Sequence, residues 1–190
     1  MLNNFRDSLQ PHLEKIARGF SSTGISPNGW SAIGLGFAIT SALIYGSNME
    51  FALVVGGIIL LIAGFFDIVD GQVARVSQKI TKSGGFLDSV FDKIAEVAIF
   101  LGILFGGFAE PYLVFLAITF SLLVSYTRAR AESLGVKLQG IGIGERAERL
   151  LVIAIIGIIG FMEYAVIIVI IIAGITIIQR IVITTKALKK

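Results

Sequence analysis

Residues 67–92 read DIVDGQVARVSQKITKSGGFLDSVFD and join two long apolar segments. Neither the run before them, 51–66, nor the run after them, 97–109, contains a charged residue. Apolar segments of this kind form helices in a bilayer, because a helix satisfies its own backbone hydrogen bonds. The stretch therefore predicts two antiparallel membrane helices joined by a short polar loop.

Four aspartates, Asp67, Asp70, Asp88 and Asp92, lie where these two helices meet the loop. The first two are three residues apart and the last two are four apart, so each pair shares one helix face. Four carboxylates close to hydrocarbon are costly unless they are protonated or bind cations. Two divalent cations would neutralise them, and two-metal sites suit displacement at phosphorus.

The composition limits the kind of metal and the class of protein. The 190 residues include no cysteine and one histidine, which excludes thiolate and multi-histidine sites and favours a hard ion such as Mg²⁺ or Mn²⁺. Hydrophobic residues make up 55% of the chain and charged residues 15%, with a mean hydropathy of +0.89. A soluble domain would carry about 25% charged residues.

Apolar runs along the chain predict an all-α integral membrane protein with six transmembrane helices. An amphipathic juxtamembrane helix is predicted over 1–22, and the six-helix domain over 23–190. Pro11 is expected to open the N-terminal helix, whose apolar residues are spaced for one face that lies on the membrane. These residues are Phe5, Leu9, Leu13 and Ile16, and the six spans are 30–45, 51–69, 87–108, 111–130, 150–162 and 164–183.

The basic residues predict the topology. The connections near 46–50, 106–110 and 161–163 contain no lysine or arginine, and all 16 basic residues fall on the other side. The positive-inside rule therefore places both termini and the aspartates on the cytoplasmic side of the plasma membrane. The pI of 9.3 does not indicate a nucleic-acid partner, because the charges are segregated by membrane side.

The spacing D-x-x-D-G-x-x-A-R-x₈-G-x-x-x-D-x-x-x-D, from Asp67 to Asp92, resembles the CDP-alcohol phosphotransferase family at every fixed position. The resemblance implies a homodimeric enzyme that transfers a lipid phosphate group from a CDP-activated lipid to an alcohol and releases CMP. It also implies that the four aspartates hold two Mg²⁺ or Mn²⁺ ions and that Asp92 is the general base. The residues implied in binding the CDP-lipid are Asp70, Gly71, Ala74, Arg75, Gly84 and Asp88.

A second basic cluster bears on the acceptor. Arg130, Arg149 and Arg180 come from three predicted helices at one depth, and arginine suits forked recognition of phosphate. The stretches S-Y-x-x-A-R-A-E, E-R-A-E-R-L and Q-R resemble the subgroup whose acceptor is inositol 1-phosphate. That resemblance implies phosphate binding by these arginines, with Arg128 nearby and Lys137 as a further candidate. The lipid would be diacylglycerol-based or an archaeal ether lipid.

Other interpretations are weighed against this one. Glycerol 3-phosphate is the next acceptor, whereas serine would not need three arginines. A divalent-cation transporter would need polar groups along its whole path, and the runs 97–109, 112–127 and 151–162 contain no charge. Asn28, in a Ser-Pro-Asn stretch, is expected either to reach the active site or to cap a helix.

Overall fold

The computed structural model describes residues 13–138 and 140–189. The described residues contain seven helices and no strand. The predicted apolar positions Phe5 and Leu9, and Pro11, lie outside the described residues. The helices are α1 (13–21), α2 (Pro27–Tyr45), α3 (Ala52–Val76), α4 (Lys82–Phe105), α5 (Pro111–Ser133), α6 (Arg146–Ile158) and α7 (Met162–Leu188).

The described part of α1 packs against the bundle. Ala17 is fully buried, and the Phe20 ring meets the Trp30 ring edge-on at 4.8 Å between centroids. Trp30 in turn stacks on Phe66 of α3 at 5.8 Å. Leu13 is half-buried, whereas Ile16 is exposed, so the helix has a protein-facing side besides the apolar surface predicted to meet the membrane.

Side chains before the helices fix the starts of α2 and α4. The Ser26 hydroxyl accepts a hydrogen bond from the Gly29 amide at 3.2 Å, and Pro27 is the first residue of α2. Ser26 is therefore the cap, and the interpretation of Asn28 as the capping residue is wrong. The Thr81 hydroxyl accepts from the Gly84 amide at 3.0 Å and caps α4 in the same way.

The α3–α4 hairpin is longer than hydropathy alone indicated. The predicted span ends at residue 69, whereas α3 continues to Val76 and α4 begins at Lys82. Gln72 and Val73 are both buried, so packing continues the helix beyond the apolar run. Asp67 and Asp70 therefore lie within α3 and not where the helix meets the loop, which is the position that the sequence predicted.

Glycines allow the helices to approach closely. A Cβ on Gly102 of α4 would meet the backbone carbonyl of Ala42 in α2, and one on Gly57 of α3 would lie 3.0 Å from the carbonyl of Ala154 in α6. The helix α2 packs against α3 and α4, α6 packs against α3 and α7, and α5 packs against α7. This packing brings the C-terminal part of α3 close to the N-terminal parts of α4 and α6.

The outer surface is apolar. Three of the helices in the described part, α3, α5 and α7, are long and apolar enough to cross a membrane. Large hydrophobic side chains such as Phe105, Leu43 and Phe115 are about 70% exposed or more, the reverse of a soluble protein. The helix α6 has 13 residues and is about 20 Å long at 1.5 Å per residue, which is less than the hydrocarbon thickness.

Candidate active site

The helix ends bring the predicted acidic cluster together. Carboxylate oxygens of Asp67, Asp88 and Asp92 all lie within 4.8 Å of one another, near enough to share one cation. Asp67 comes from α3, and the other two residues lie one turn apart on α4. The contact between helix faces that the spacing predicted is present.

Asp70 is the most buried aspartate of the four. It is 5% exposed, and its Oδ2 atom is buried without a hydrogen-bond partner among the described residues. It lines the same cleft of about 420 Å³ as the other three aspartates, together with Ser31 of α2. An unpaired buried carboxylate oxygen beside three clustered carboxylates fits divalent cations, because hard ions prefer oxygen ligands.

An arginine lies among these carboxylates. Arg146, the first residue of α6, places one guanidinium nitrogen, Nη1, 2.6 Å from Asp67 Oδ1 and 2.7 Å from Asp92 Oδ1. Its side chain is 18% exposed. This single cation ties α3, α4 and α6 together.

A second cleft, of about 810 Å³, adjoins the first and is basic. It contains four arginines and Lys93, besides the carboxylates of Glu132 and Glu145, and it shares Asp88, Asp92 and Arg146 with the acidic cleft. The shared residues form the boundary between an acidic cleft and a cationic one, whose arginines are Arg128, Arg146, Arg149 and Arg180.

Arg149 lines this cleft but is held by the protein. It is 1% exposed, and its Nε and Nη2 atoms donate to Glu96 Oε1 at 2.8 and 2.6 Å. Its Nη1 atom donates to the Gly144 carbonyl at 2.6 Å. Each of the three guanidinium nitrogens therefore donates a hydrogen bond to the protein, and the ion pair connects α4 to the start of α6.

Arg180 of α7 is held in a similar way. It donates from Nη1 to the Val124 carbonyl at 2.6 Å and from Nε to the Ile141 carbonyl at 3.0 Å, and it lies 3.4 Å from Glu145. Only 2% of the residue is exposed. Arg180 thus joins α5, α7 and the loop before α6 at the wall of the basic cleft.

The structure separates Arg128 from Arg130. Residues two positions apart in a helix differ by about 200° around its axis, so these two side chains point in nearly opposite directions. Arg128 lines the basic cleft, whereas Arg130 is exposed and lies outside the lining, as does the exposed Lys137. The predicted meeting of Arg130 with Arg149 and Arg180 is not observed, and Arg128 takes its place.

Comparison with known proteins bears on this arrangement. Residues 26–184 match the CDP-alcohol phosphatidyltransferase family. The chain belongs to that family. The resemblance drawn from the aspartate spacing is therefore confirmed, and the protein is a membrane-integral transferase.

Individual relatives of this phosphatidyltransferase span most or all of the chain. An archaetidylinositol phosphate synthase of Pyrococcus horikoshii is 38% identical over 192 residues, covering 100% of this chain and 99% of its own. Another from Methanothermobacter thermautotrophicus is 38% identical, covering 80% and 75%. The solved phosphatidylinositol phosphate synthase of Mycobacterium tuberculosis in complex with manganese and citrate gives a TM-score of 0.78 at 25% identity, covering 90% and 88%.

The remaining predicted positions of the phosphatidyltransferase lie near the loop that joins α3 to α4. A Cβ on Gly71 would meet no atom within 4 Å, whereas one on Gly84 would lie 3.0 Å from Asn28 Oδ1. Ala74 is half-buried, and Arg75 is exposed and lines an open cleft with Arg18 of α1. Packing within the protein thus explains why a glycine occupies position 84, but it does not explain the glycine at position 71.

Sequence reasoning missed two residues of the site, Arg146 and Glu96. Arg146 was read only as part of a stretch of resemblance, although it lies three residues before Arg149 on the same helix face. Glu96 lies four residues after Asp92 and begins an otherwise apolar stretch. A carboxylate in such a position is expensive unless paired, and this could have indicated a buried partner.

Proposed function

We propose that this phosphatidyltransferase moves the lipid phosphate group of a CDP-activated lipid to inositol 1-phosphate and releases CMP. The shared boundary of the two clefts carries the proposal, because it sets a carboxylate cluster for a pyrophosphate donor beside arginines for an anionic acceptor. The names of the Pyrococcus and Methanothermobacter relatives support the inositol phosphate and favour an archaeol-based lipid.

The acidic cleft is the proposed donor side. Asp67, Asp70, Asp88 and Asp92 would hold two Mg²⁺ or Mn²⁺ ions, and the solved relative that contains manganese supports this choice of metal. When bound, the ions would stabilise negative charge on the phosphoryl oxygens and on the departing CMP.

Positions on the hairpin are proposed to bind the nucleotide. A glycine inside a helix costs about 1 kcal/mol relative to alanine. No neighbour within the protein requires glycine at Gly71, so close approach of the CDP group is the proposed reason for it. The proposed contacts to the CDP-lipid also include Asp70, Ala74, Arg75, Gly84 and Asp88.

The basic cleft is the proposed acceptor side. Arg128 has its guanidinium exposed enough to reach a phosphate, whereas Arg149 and Arg180 mainly supply fixed positive charge, because their side chains are buried and hydrogen-bonded to protein groups. Contributions from Arg130 and Lys137 stay predictions. In this arrangement the acceptor phosphate lies away from the carboxylates, and its free hydroxyl is directed towards them.

Asp92 lies on the boundary between the two clefts and is the proposed general base. The inositol hydroxyl oxygen forms a bond to the lipid-side phosphorus while the bond from that phosphorus to the pyrophosphate bridging oxygen breaks. CMP leaves with the bridging oxygen, and the hydroxyl proton goes to the Asp92 carboxylate. The products are CMP and a lipid inositol phosphate.

The membrane arrangement is part of the proposal. Six crossings with both termini in the cytoplasm would place both clefts at the cytoplasmic surface, as the distribution of basic residues supports. In this arrangement 1–22 forms an interfacial helix beside a single domain over 23–190. A homodimer is proposed from the family resemblance alone.

The test is CMP release by the purified chain with CDP-archaeol or CDP-diacylglycerol and Mg²⁺. Inositol 1-phosphate, glycerol 3-phosphate, serine and free inositol would be supplied separately. We expect release with inositol 1-phosphate and little with free inositol, because the basic cleft requires an anion. If glycerol 3-phosphate is the only acceptor that gives release, the proposed metal site stands and the assignment of the acceptor is overturned.

A further inference from the structure

Arg146 forms the closest ion pairs of the acidic cleft. One of its nitrogens contacts Asp67 and Asp92 at 2.6 and 2.7 Å, on two different helices. Among the described residues, the Arg146 Nε atom is buried and has no hydrogen-bond partner. The side chain is thus held through its contacts with the carboxylates, and its Nε donor is unused there.

The oxygens that Arg146 holds belong to the carboxylates that would bind a cation. Asp67 and Asp92 are two of the three residues whose oxygens lie within 4.8 Å of one another. A divalent ion and the Arg146 guanidinium compete for the same carboxylates, and two neighbouring cations repel each other. Binding of a metal at these carboxylates therefore favours withdrawal of Arg146.

The place to which Arg146 can withdraw is also defined. Arg146 lines the basic cleft as well as the acidic one, beside Arg128, Arg149 and Arg180. Movement of its guanidinium further into that cleft, where Lys93 also lies, is less favourable when the cleft is empty than when it contains a phosphate. The energy of the withdrawn state thus depends on whether an anion is bound.

We propose that Arg146 is an exchangeable counter-ion that couples the metal to the acceptor. Without metal it neutralises Asp67 and Asp92; a divalent cation displaces it, and the phosphate of the acceptor receives it in the basic cleft. This inference rests on the proposed function, which supplies the metal and the anionic acceptor. Since coupling between two ligands is reciprocal, inositol 1-phosphate must strengthen metal binding by the factor by which metal strengthens acceptor binding.

The experiment measures Mn²⁺ binding to the full-length chain in detergent, without nucleotide, by titration followed by electron paramagnetic resonance. Arg146→Gln removes the competing cation and should tighten Mn²⁺ binding about tenfold, which corresponds to about 1.4 kcal/mol. The control Lys82→Gln removes one exposed charge at the start of α4 and should change Mn²⁺ affinity much less.

A second titration adds saturating inositol 1-phosphate. The wild-type chain should bind Mn²⁺ at least about threefold more tightly with the acceptor, a typical coupling. In Arg146→Gln this gain should disappear, because no arginine has to be moved. If the glutamine variant does not fold, Arg146→Lys should still change both the Mn²⁺ affinity and the coupling, because its shorter side chain lacks the forked guanidinium.

Two results would overturn the inference. Equal or weaker Mn²⁺ binding by Arg146→Gln would show that Arg146 does not compete with the metal, and coupling that survives in this variant would show that Arg146 does not transmit it. Where only Arg146→Lys folds, values equal to wild type would count in the same way. If the wild-type chain binds no Mn²⁺ at all, the proposed metal site fails and this inference fails with it. If the wild-type chain binds Mn²⁺ but Arg146→Gln lacks the expected effects, the inference alone fails, so the two failures are distinguishable.

Discussion

The buried ion pair between Glu96 and Arg149 supports a quantitative prediction. Glu96 accepts two hydrogen bonds from the guanidinium, and each residue is 1% exposed. In Glu96→Ala the arginine would keep its bond to the Gly144 carbonyl and lose its only anionic partner within hydrogen-bond distance in the described structure. Breaking a buried pair in this way costs about 3–5 kcal/mol, because an uncompensated charge stays buried.

The expected change in thermal stability follows from that cost. For a chain of this size, about 3–5 kcal/mol corresponds to a fall in Tm of roughly 6–20 °C. Unfolding in detergent can be followed by the fluorescence of Trp30, the single tryptophan, which stacks on Phe66. Circular dichroism would check that the loss of helix coincides with the fluorescence change.

The control is an ion pair of the same type on the surface. Arg128 and Glu132 are 2.9 Å apart, but their side chains are 41% and 43% exposed. Glu132→Ala should therefore cost about 0–1 kcal/mol. The double variant Glu96→Leu with Arg149→Met removes both buried charges and should recover most of the lost stability. Equal shifts for Glu96→Ala and Glu132→Ala would refute the reasoning.

Two other predictions concern packing and the wall of the basic cleft. Gly102→Ala should destabilise the chain by about 1–3 kcal/mol, because its Cβ would meet the Ala42 carbonyl; Gly36→Ala, whose Cβ meets open space, should be neutral or stabilising in the same Tm measurement. Arg180→Met should raise the KM for inositol 1-phosphate about tenfold or more, with a smaller effect on kcat. The substitution removes a positive charge from the cleft and the hydrogen bond that holds the loop through the Ile141 carbonyl. Lys186→Met on the same helix is exposed and should leave KM unchanged; equal KM values for the two variants would contradict the role of Arg180.

The hairpin and its aspartates could be predicted because local spacing determines them. Asp88 and Asp92 share a helix face whatever surrounds them, and the apolar runs on either side leave few alternatives to two membrane helices. The residues at which the helices end were harder to predict. Hydropathy indicates where hydrocarbon ends, whereas α3 continues because Gln72 and Val73 are buried against neighbouring helices.

The basic cleft was harder to predict, because helix rotation and long-range pairing decide it. The choice between Arg128 and Arg130 depends on which side of α5 faces α7, and composition does not encode that rotation. The pairing of Arg146 with Asp67 joins residues 79 positions apart. Such a contact follows only from the arrangement of α3, α4 and α6. For the same reason the sequence assigned Arg149 and Arg180 to phosphate binding, whereas protein groups hold both side chains in the structure.

The central claim is that the Asp92 cluster transfers a lipid phosphate to inositol 1-phosphate. The most direct test is mass spectrometry of the lipid product, with CMP measured in parallel, for wild type, Asp92→Asn and the surface variant Glu50→Gln, whose exposed side chain lies outside both clefts. Wild type and Glu50→Gln should form one lipid inositol phosphate for each CMP, and Asp92→Asn should be at least about a hundredfold slower while staying folded. CMP without the lipid product, or an undiminished rate in Asp92→Asn, would contradict the account.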